Sequence, residues 1–116
     1  MNAPVSTADL AMLSMTEAAD AFAAGEVTAT ALAKACLARI DAHDAAVNSV
    51  IRLDRDAALA AAGAADAARA AGRPLGPLAG VPMMHKDMYY REGKVSTCGS
   101  RIRRDFVAPK TATVLA

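Results

Sequence analysis

The chain has 116 residues and a net charge of +1, and 54% of its residues are hydrophobic although it has no Trp, two Tyr and two Phe. A charge this close to zero gives no overall argument for binding to nucleic acid or to an anionic membrane. The length is enough for one modest domain, but much of the hydrophobic content is alanine, which buries little area. We therefore expect a helix-rich piece that packs on a larger body.

The two cysteines and the N-terminus bear on where the protein works. Cys36 and Cys98 lie far apart in the sequence and form no metal-ligand pair. They are typical of small buried hydrophobes in a reducing compartment. The N-terminus lacks the basic start and apolar run of a signal peptide, and no segment reaches the ~20 apolar residues of a membrane span. We expect a cytoplasmic protein without a cofactor or a metal.

The first half of the sequence predicts a loose leader over residues 1–13 and then two helices. Ser14 and Glu17 have the spacing of a capping box, so a helix should run from there to about Ala24, with Gly25 as its stop. A second helix should open at Thr28 or Thr30 and end near His43. Its buried face is predicted from a four-residue spacing of Leu32, Cys36 and Ile40.

The next segments predict two strands with a helix between them. Residues 48–53 have the composition of a short strand. A helix from Arg55 to Ala71 should follow, capped by Asp54 or Asp56 and ended by Gly72. After the Pro- and Gly-rich connector 73–77, residues 81–85 form an apolar run that predicts a buried strand.

That apolar run ends at a lysine, Lys86, which is followed at once by Asp87 and later by Ser96, Thr97, Cys98, Gly99 and Ser100. Desolvation at the edge of a buried strand disfavours the charged form of a lysine, which can then act as a base. In an extended strand Lys86 and Asp87 would point to opposite faces, so the pattern does not by itself predict an ion pair.

The segments 76–82, 86–87 and 96–100 together resemble the amidase signature family. Its usual pattern is G-P-L-x-G-[IV]-P-x-x-x-K-D, followed by T-x-G-S, and this sequence has GPLAGVP, Lys86-Asp87 and Thr97-Cys98-Gly99-Ser100. The resemblance implies a serine–cis-serine–lysine triad in which Lys86 is the lysine. Both triad serines would lie in a Gly- and Ser-rich stretch that this sequence lacks. The chain is therefore expected to be an N-terminal fragment that is inactive alone.

The resemblance also implies a fold and a set of supporting residues. The fold would be α/β, with the N-terminal helices and first strands of a mixed sheet that has helices on both faces. Residues 1–116 would be one part of a single amidase domain, with a helical wrap over 1–72 and the lysine-bearing strand and loop over 73–116. Four residues could support the site or shape its pocket: Asp87, Ser96, Thr97 and Ser100. For the last three, turn formation around Gly99 is an equal alternative.

The sequence departs from the family pattern near the lysine and near the end of the chain. His85 and Met88 stand where branched apolar residues and asparagine are commoner in the family, and Lys110 stands near the family's usual acidic cap. In a strand, His85 would face away from Lys86, so a core or supporting position is expected for it. Met88 lacks the amide of an asparagine, so no amide contact is carried over from the family at that position.

Three functions are consistent with these patterns. The first is an amidase-type hydrolase that cleaves the C–N bond of a small-molecule carboxamide. The second is the A subunit of a tRNA-dependent amidotransferase, the one case in which a nucleic acid partner is expected. The third is a non-enzymatic helical module that binds a partner through a basic tail, in which case binding should weaken with salt. That tail consists of Arg101, Arg103, Arg104 and Lys110.

Overall fold

The computed structural model describes residues 7–116, and its side chains from residue 9 onward. It contains four α-helices: α1 (Thr7–Leu10), α2 (Met15–Ala24), α3 (Ala29–Val47) and α4 (Arg55–Ala70). Two short 3-10 turns follow, Arg101–Arg103 and Thr113–Leu115. The chain divides into a first unit that ends at Pro82 and a second unit, Met83–Ala116. Residues 1–6 of the predicted leader lie outside the described residues, and the rest of it includes α1, whose Leu10 is buried.

Helix α2 begins and ends where the sequence predicts. The Ser14 hydroxyl accepts a hydrogen bond from the N–H of Glu17, and the Glu17 carboxylate accepts one from the N–H of Ser14 at 2.8 Å. These two reciprocal bonds form the predicted capping box. Gly25 ends the helix with a φ of 79°, a left-handed conformation that glycine adopts without a steric penalty.

Helix α3 begins after Thr28, whose hydroxyl accepts from the N–H of Ala31 at 3.0 Å, but it runs past the predicted end to Val47. The Asp44 carboxylate explains both the extra turn and the missing strand after it. It accepts from the N–H and hydroxyl of Ser49 at 2.8 and 2.9 Å and from the N–H of Val50 at 3.1 Å. Because these N–H groups bond locally, they are not offered to a neighbouring strand.

The strands predicted at 48–53 and 81–85 are not formed in the part of the chain that the structure describes, so the predicted α/β sheet is not confirmed there. Residues 48–53 and 81–85 are irregular there. The one β pairing within residues 7–116 is an isolated antiparallel bridge between Val95 and Val107. A strand exists only when another backbone pairs with its N–H and C=O groups, and neither segment has such a neighbour among the described residues.

The core of the first unit is built from small residues that let the helices approach closely. One cluster contains Leu10, Ala18, Leu32 and Ala35, and a second contains Phe22, Ala29, Ala33 and Ala62. On the predicted face of α3, Leu32 is fully buried, whereas Cys36 and Ile40 are half-buried. The buried face of α3 is therefore centred on alanines that the spacing of larger residues did not indicate.

Helix α4 begins after Asp54 as predicted, and it fastens the first turn of α3 through Asp66. The Asp66 carboxylate accepts from the N–H of Ala29 at 2.7 Å and from the N–H and hydroxyl of Thr30 at 3.1 and 2.7 Å. Free N–H groups at a helix N-terminus favour a negative charge. Asp66 is thus a second N-terminal cap for α3, supplied from another helix.

One turn further along α4, Arg69 fastens the junction between α2 and α3. Its guanidinium donates to the backbone carbonyl of Phe22 and, at 2.7 Å, to that of Val27. The same group lies 4.4 Å from the centroid of the Phe22 ring. A cation suits the carbonyl-rich end of a helix, so Asp66 and Arg69 together hold both sides of the α2–α3 junction.

We expect Asp66→Ala to lower the free energy of unfolding by about 2 kcal/mol, the upper range for loss of a helix cap. Burial raises the pKa of Asp66, but the hydrogen bonds from Thr30 and Ala29 outweigh it and hold that pKa below its ordinary value. The contribution of Asp66 is therefore present above the ordinary carboxyl pKa and is lost as pH falls through the lowered folded-state value.

Urea unfolding at pH 7 and at pH 3 checks this expectation, with Asp20→Ala, an exposed carboxylate on α2, as the matched control. The difference between Asp66→Ala and the unsubstituted protein should be large at pH 7 and smaller at pH 3. A difference of equal size at both pH values would mean that the carboxylate charge of Asp66 does not contribute.

Candidate functional site

Lys86, the proposed triad lysine, lies in the second unit between an irregular segment and a turn. Its backbone carbonyl accepts from the N–H of Tyr89 at 3.1 Å, and Nδ1 of His85 lies 3.1 Å from the same oxygen. The side chains of Lys86 and His85 are exposed. The solvent shielding that the sequence predicts for the lysine is thus not supplied by the described residues, and a catalytic role for Lys86 stays a prediction.

Asp87, the residue after the lysine, binds Thr97 through its side chain. Both carboxylate oxygens accept from the N–H of Thr97, at 3.0 and 3.2 Å, and one of them also accepts from the Thr97 hydroxyl. A carboxylate offers only acceptors, so it can satisfy two donors of one residue at once. Bonds of this kind, with a charged acceptor, are among the stronger hydrogen bonds in proteins.

The backbone of Asp87 binds the residues on either side of Thr97. Its carbonyl oxygen accepts from the hydroxyl of Ser96 at 3.0 Å and from the N–H of Cys98 at 3.1 Å. Ser96 is only 2% exposed, and its N–H donates to the carbonyl of Phe106 at 2.9 Å. Its hydroxyl therefore has a structural partner in this chain. Three successive residues, 96–98, bond to the one residue that follows the lysine.

The segment after Thr97 forms a tight turn. The N–H of Ser100 donates to the carbonyl of Thr97 at 2.9 Å, and the two residues between them, Cys98 and Gly99, have φ values of 51° and 71°. Two central residues with positive φ are typical of a type I′ turn, which favours glycine at such positions. The structure supports turn formation for this cluster, and a role of Ser96, Thr97 or Ser100 in a substrate pocket stays a prediction.

One member of the predicted basic tail is not a solvated surface charge. Arg103 is half-buried, with its guanidinium 4.1 Å from the ring centroid of Phe106 and 5.4 Å from that of Tyr90. It also donates a hydrogen bond to the Tyr90 hydroxyl. The two rings lie 5.5 Å apart. Arg103 is therefore part of the packing of the second unit, whereas Arg101, Arg104 and Lys110 are exposed.

Periodic spacing does not reveal this aromatic cluster, because Tyr90, Arg103 and Phe106 follow neither a helical nor a strand repeat. A compositional signal does exist in the sequence. Aromatic residues are scarce in this chain, yet Tyr89, Tyr90 and Phe106 fall close together in the sequence with several arginines between them. Arginine commonly stacks on aromatic rings, so this local enrichment is the feature that could have indicated the cluster.

The described part of the chain offers no evident metal site and no membrane span. Over residues 7–116, no three His, Cys, Asp or Glu side chains are grouped so that they could hold a metal ion. None of the four helices given above has both the length and the apolar character needed to cross a bilayer.

A family model and curated relatives match most of this chain. The family model described as Amidase matches residues 31–116. Over 107 residues the chain is 48% identical to the A subunit of the glutamyl-tRNA(Gln) amidotransferase of Chloroflexus aurantiacus, covering 92% of this chain and 22% of that protein. It is 44% identical to the protein of the same name from Streptomyces coelicolor over 106 residues, which covers 91% of this chain and 21% of that one.

A solved structure is also similar. It is described as an unexpected vestigial protein complex that reveals the evolutionary origins of an s-triazine catabolic enzyme, with an inhibitor bound. The match has a TM-score of 0.82 at 32% identity and covers 89% of this chain and 23% of that chain. The chain spans about a fifth of the length of the curated relatives it matches. With the family match extending over residues 31–116, the chain belongs to the amidase family.

Proposed function

We propose that this chain is part of a protein as long as its relatives, and that Lys86 is the lysine of an amidase-type site in that protein. The site would cleave the C–N bond of a carboxamide. The observation that carries the proposal is the binding of residues 96–98 to Asp87, directly after Lys86. This arrangement holds the backbone beside the lysine in a defined place, which is what a catalytic side chain needs. Membership of the amidase family supports the same chemistry.

In the proposed mechanism, Lys86 accepts a proton from a cis-serine, which in turn accepts one from a nucleophilic serine. The deprotonated serine attacks the carbonyl carbon of the amide, and backbone N–H groups stabilise the negative charge on the carbonyl oxygen. Ammonia or an amine leaves with a proton, and water then hydrolyses the acyl-enzyme. We propose that both serines belong to sequence outside these 116 residues, so that this chain alone is inactive.

We propose further that the remainder of such a protein covers the surface around Lys86 and shields the lysine from water. Exposed apolar side chains near the lysine support this, since Met83 and Met84 are 66% and 63% exposed. Large apolar side chains grouped at a surface commonly mark a contact with another part of a protein. Shielding would disfavour the charged form of the lysine. A cytoplasmic location, as expected from the sequence, remains a prediction.

A second candidate is favoured by the names of the relatives. The A subunits of two glutamyl-tRNA(Gln) amidotransferases are 48% and 44% identical to this chain. In that case the ammonia released from an amide would pass to a mischarged aminoacyl-tRNA, and partner subunits would be required. The chemistry proposed for Lys86 is the same in both cases. The two candidates differ in the fate of the ammonia, which is released in the first and passed to the aminoacyl-tRNA in the second.

Ammonia release by the protein expressed at the full length of its reading frame tests the proposal. The panel should contain simple aliphatic and aromatic carboxamides and glutamine, each assayed with and without glutamyl-tRNA and candidate partner subunits. Release from simple carboxamides without partners is the expected result for a hydrolase. Release from glutamine that depends on partners and charged tRNA would indicate the amidotransferase. Release from none of these under either condition would overturn the proposal.

A further inference from the structure

The segment that carries Lys86 has little regular structure of its own to hold it. It contains no helix or strand, and the lysine side chain is exposed. A lysine has a long, flexible side chain, so its amine can be placed accurately only if its backbone is fixed first. Another residue must therefore fix that backbone.

Asp87 has the bonds that this task requires. Its carboxylate and its carbonyl together accept from the N–H and hydroxyl of Thr97, the hydroxyl of Ser96 and the N–H of Cys98. The carbonyl of Lys86 itself is held by the N–H of Tyr89 at 3.1 Å. The peptide units on both sides of Asp87 are thereby tied to the loop or to the following turn.

The loop to which Asp87 is tied is itself anchored. Ser96 is buried, and its N–H donates to the carbonyl of Phe106. Val95 pairs with Val107 in the isolated bridge, and the Phe106 ring packs against Tyr90 and Arg103. A chain of direct contacts therefore links the lysine backbone to the packed part of the second unit.

From this geometry we propose that Asp87 is a positioning residue for Lys86, which acts by fixing the lysine backbone against residues 96–98. The inference rests on the proposed function, because it assumes that Lys86 accepts a proton in the reaction. Asp87 itself would touch neither the substrate nor the reacting atoms. Its effect on the rate would pass through the lysine.

Two variants of the full-length protein test whether Asp87 positions Lys86 or has a merely structural role. Asp87→Ala removes the carboxylate, and Thr97→Val removes one hydroxyl donor while keeping the N–H bond and the shape of the side chain. A misplacement of ~1 Å can lower a rate by about 10²-fold. We therefore expect Asp87→Ala to lower kcat by about that factor with KM within about twofold, and Thr97→Val to give a smaller loss in the same direction. The matched control is Asp105→Ala, an exposed carboxylate of the same unit.

The decisive comparison is made in a Lys86→Ala background. If Asp87 acts through Lys86, then Asp87→Ala should cause almost no further loss there, because effects of residues that act as a unit are not additive. A merely structural role would lower activity by the same factor in both backgrounds and would overturn the inference.

The two proposals fail in different ways. If Lys86→Ala retains full activity, the proposed function of the lysine falls and the inference about Asp87 falls with it. If Lys86→Ala loses most of its activity but Asp87→Ala and Thr97→Val keep full kcat, only the positioning role is wrong. Should Asp87→Ala fail to fold, Thr97→Val carries the same test, and an unchanged kcat for it would count against the inference.

Discussion

Lys86→Ala is expected to lower kcat for carboxamide cleavage by about 10³-fold or more in the full-length protein, the range found when a proton acceptor or a triad member is removed. Without the lysine, the serine relay has no group to take its proton. The fold of the described residues should persist in the variant, because these residues leave the Lys86 side chain exposed. An exposed truncation of this kind usually changes stability by less than about 0.5 kcal/mol.

The matched control is Lys110→Ala, which removes another exposed lysine of the same unit. Initial rates of ammonia release and thermal unfolding should be measured for both variants on one substrate. We expect Lys110→Ala to keep the activity and Lys86→Ala to lose it while still unfolding in a cooperative transition. Equal activity of the two variants would exclude Lys86 from the chemistry.

Gly80→Ala is expected to destabilise the protein by about 3 kcal/mol, for two separate reasons. Gly80 has a φ of 78°, and a Cβ added there would lie 2.8 Å from three atoms of the Phe22 ring. The ring is 1% exposed and is also held against Arg69, so it has little room to move. This explains physically why a glycine stands at the second glycine position of the GPLAGVP segment.

Gly72→Ala separates the two costs. Gly72 also has a positive φ, 65°, but a Cβ there would meet nothing within 4 Å. We therefore expect Gly72→Ala to cost about 1 kcal/mol, which is the conformational penalty alone. Urea unfolding of both variants gives the difference. If the two variants lost equal stability, the close approach of Gly80 to Phe22 would not matter in solution.

The elements that the sequence predicted well are those determined by near neighbours. The capping box of α2 and the caps of α3 and α4 depend on residues three positions apart, and Gly25 ends α2 within the same turn. Local hydrogen bonds of this kind are visible as patterns in the sequence. The GPLAGVP and Lys-Asp motifs are likewise recognisable because each is a short run of neighbouring residues.

The elements that the sequence did not predict depend on distant residues. Asp66 caps α3 from 36 and 37 positions away, and Asp87 binds Thr97 across ten positions. The predicted strands are not formed among the described residues, because β propensity describes one segment, whereas pairing needs a second backbone. At 48–53 the Asp44 carboxylate also takes the N–H groups that a strand would use.

The most direct test of the central claim is acyl transfer to hydroxylamine by the full-length protein. If a serine activated through Lys86 forms an acyl-enzyme, a carboxamide substrate and hydroxylamine should give the hydroxamate together with ammonia. We expect the unsubstituted protein to form the hydroxamate and Lys86→Ala to form almost none. Ammonia release without hydroxamate, at the same rate with and without Lys86, would contradict the account.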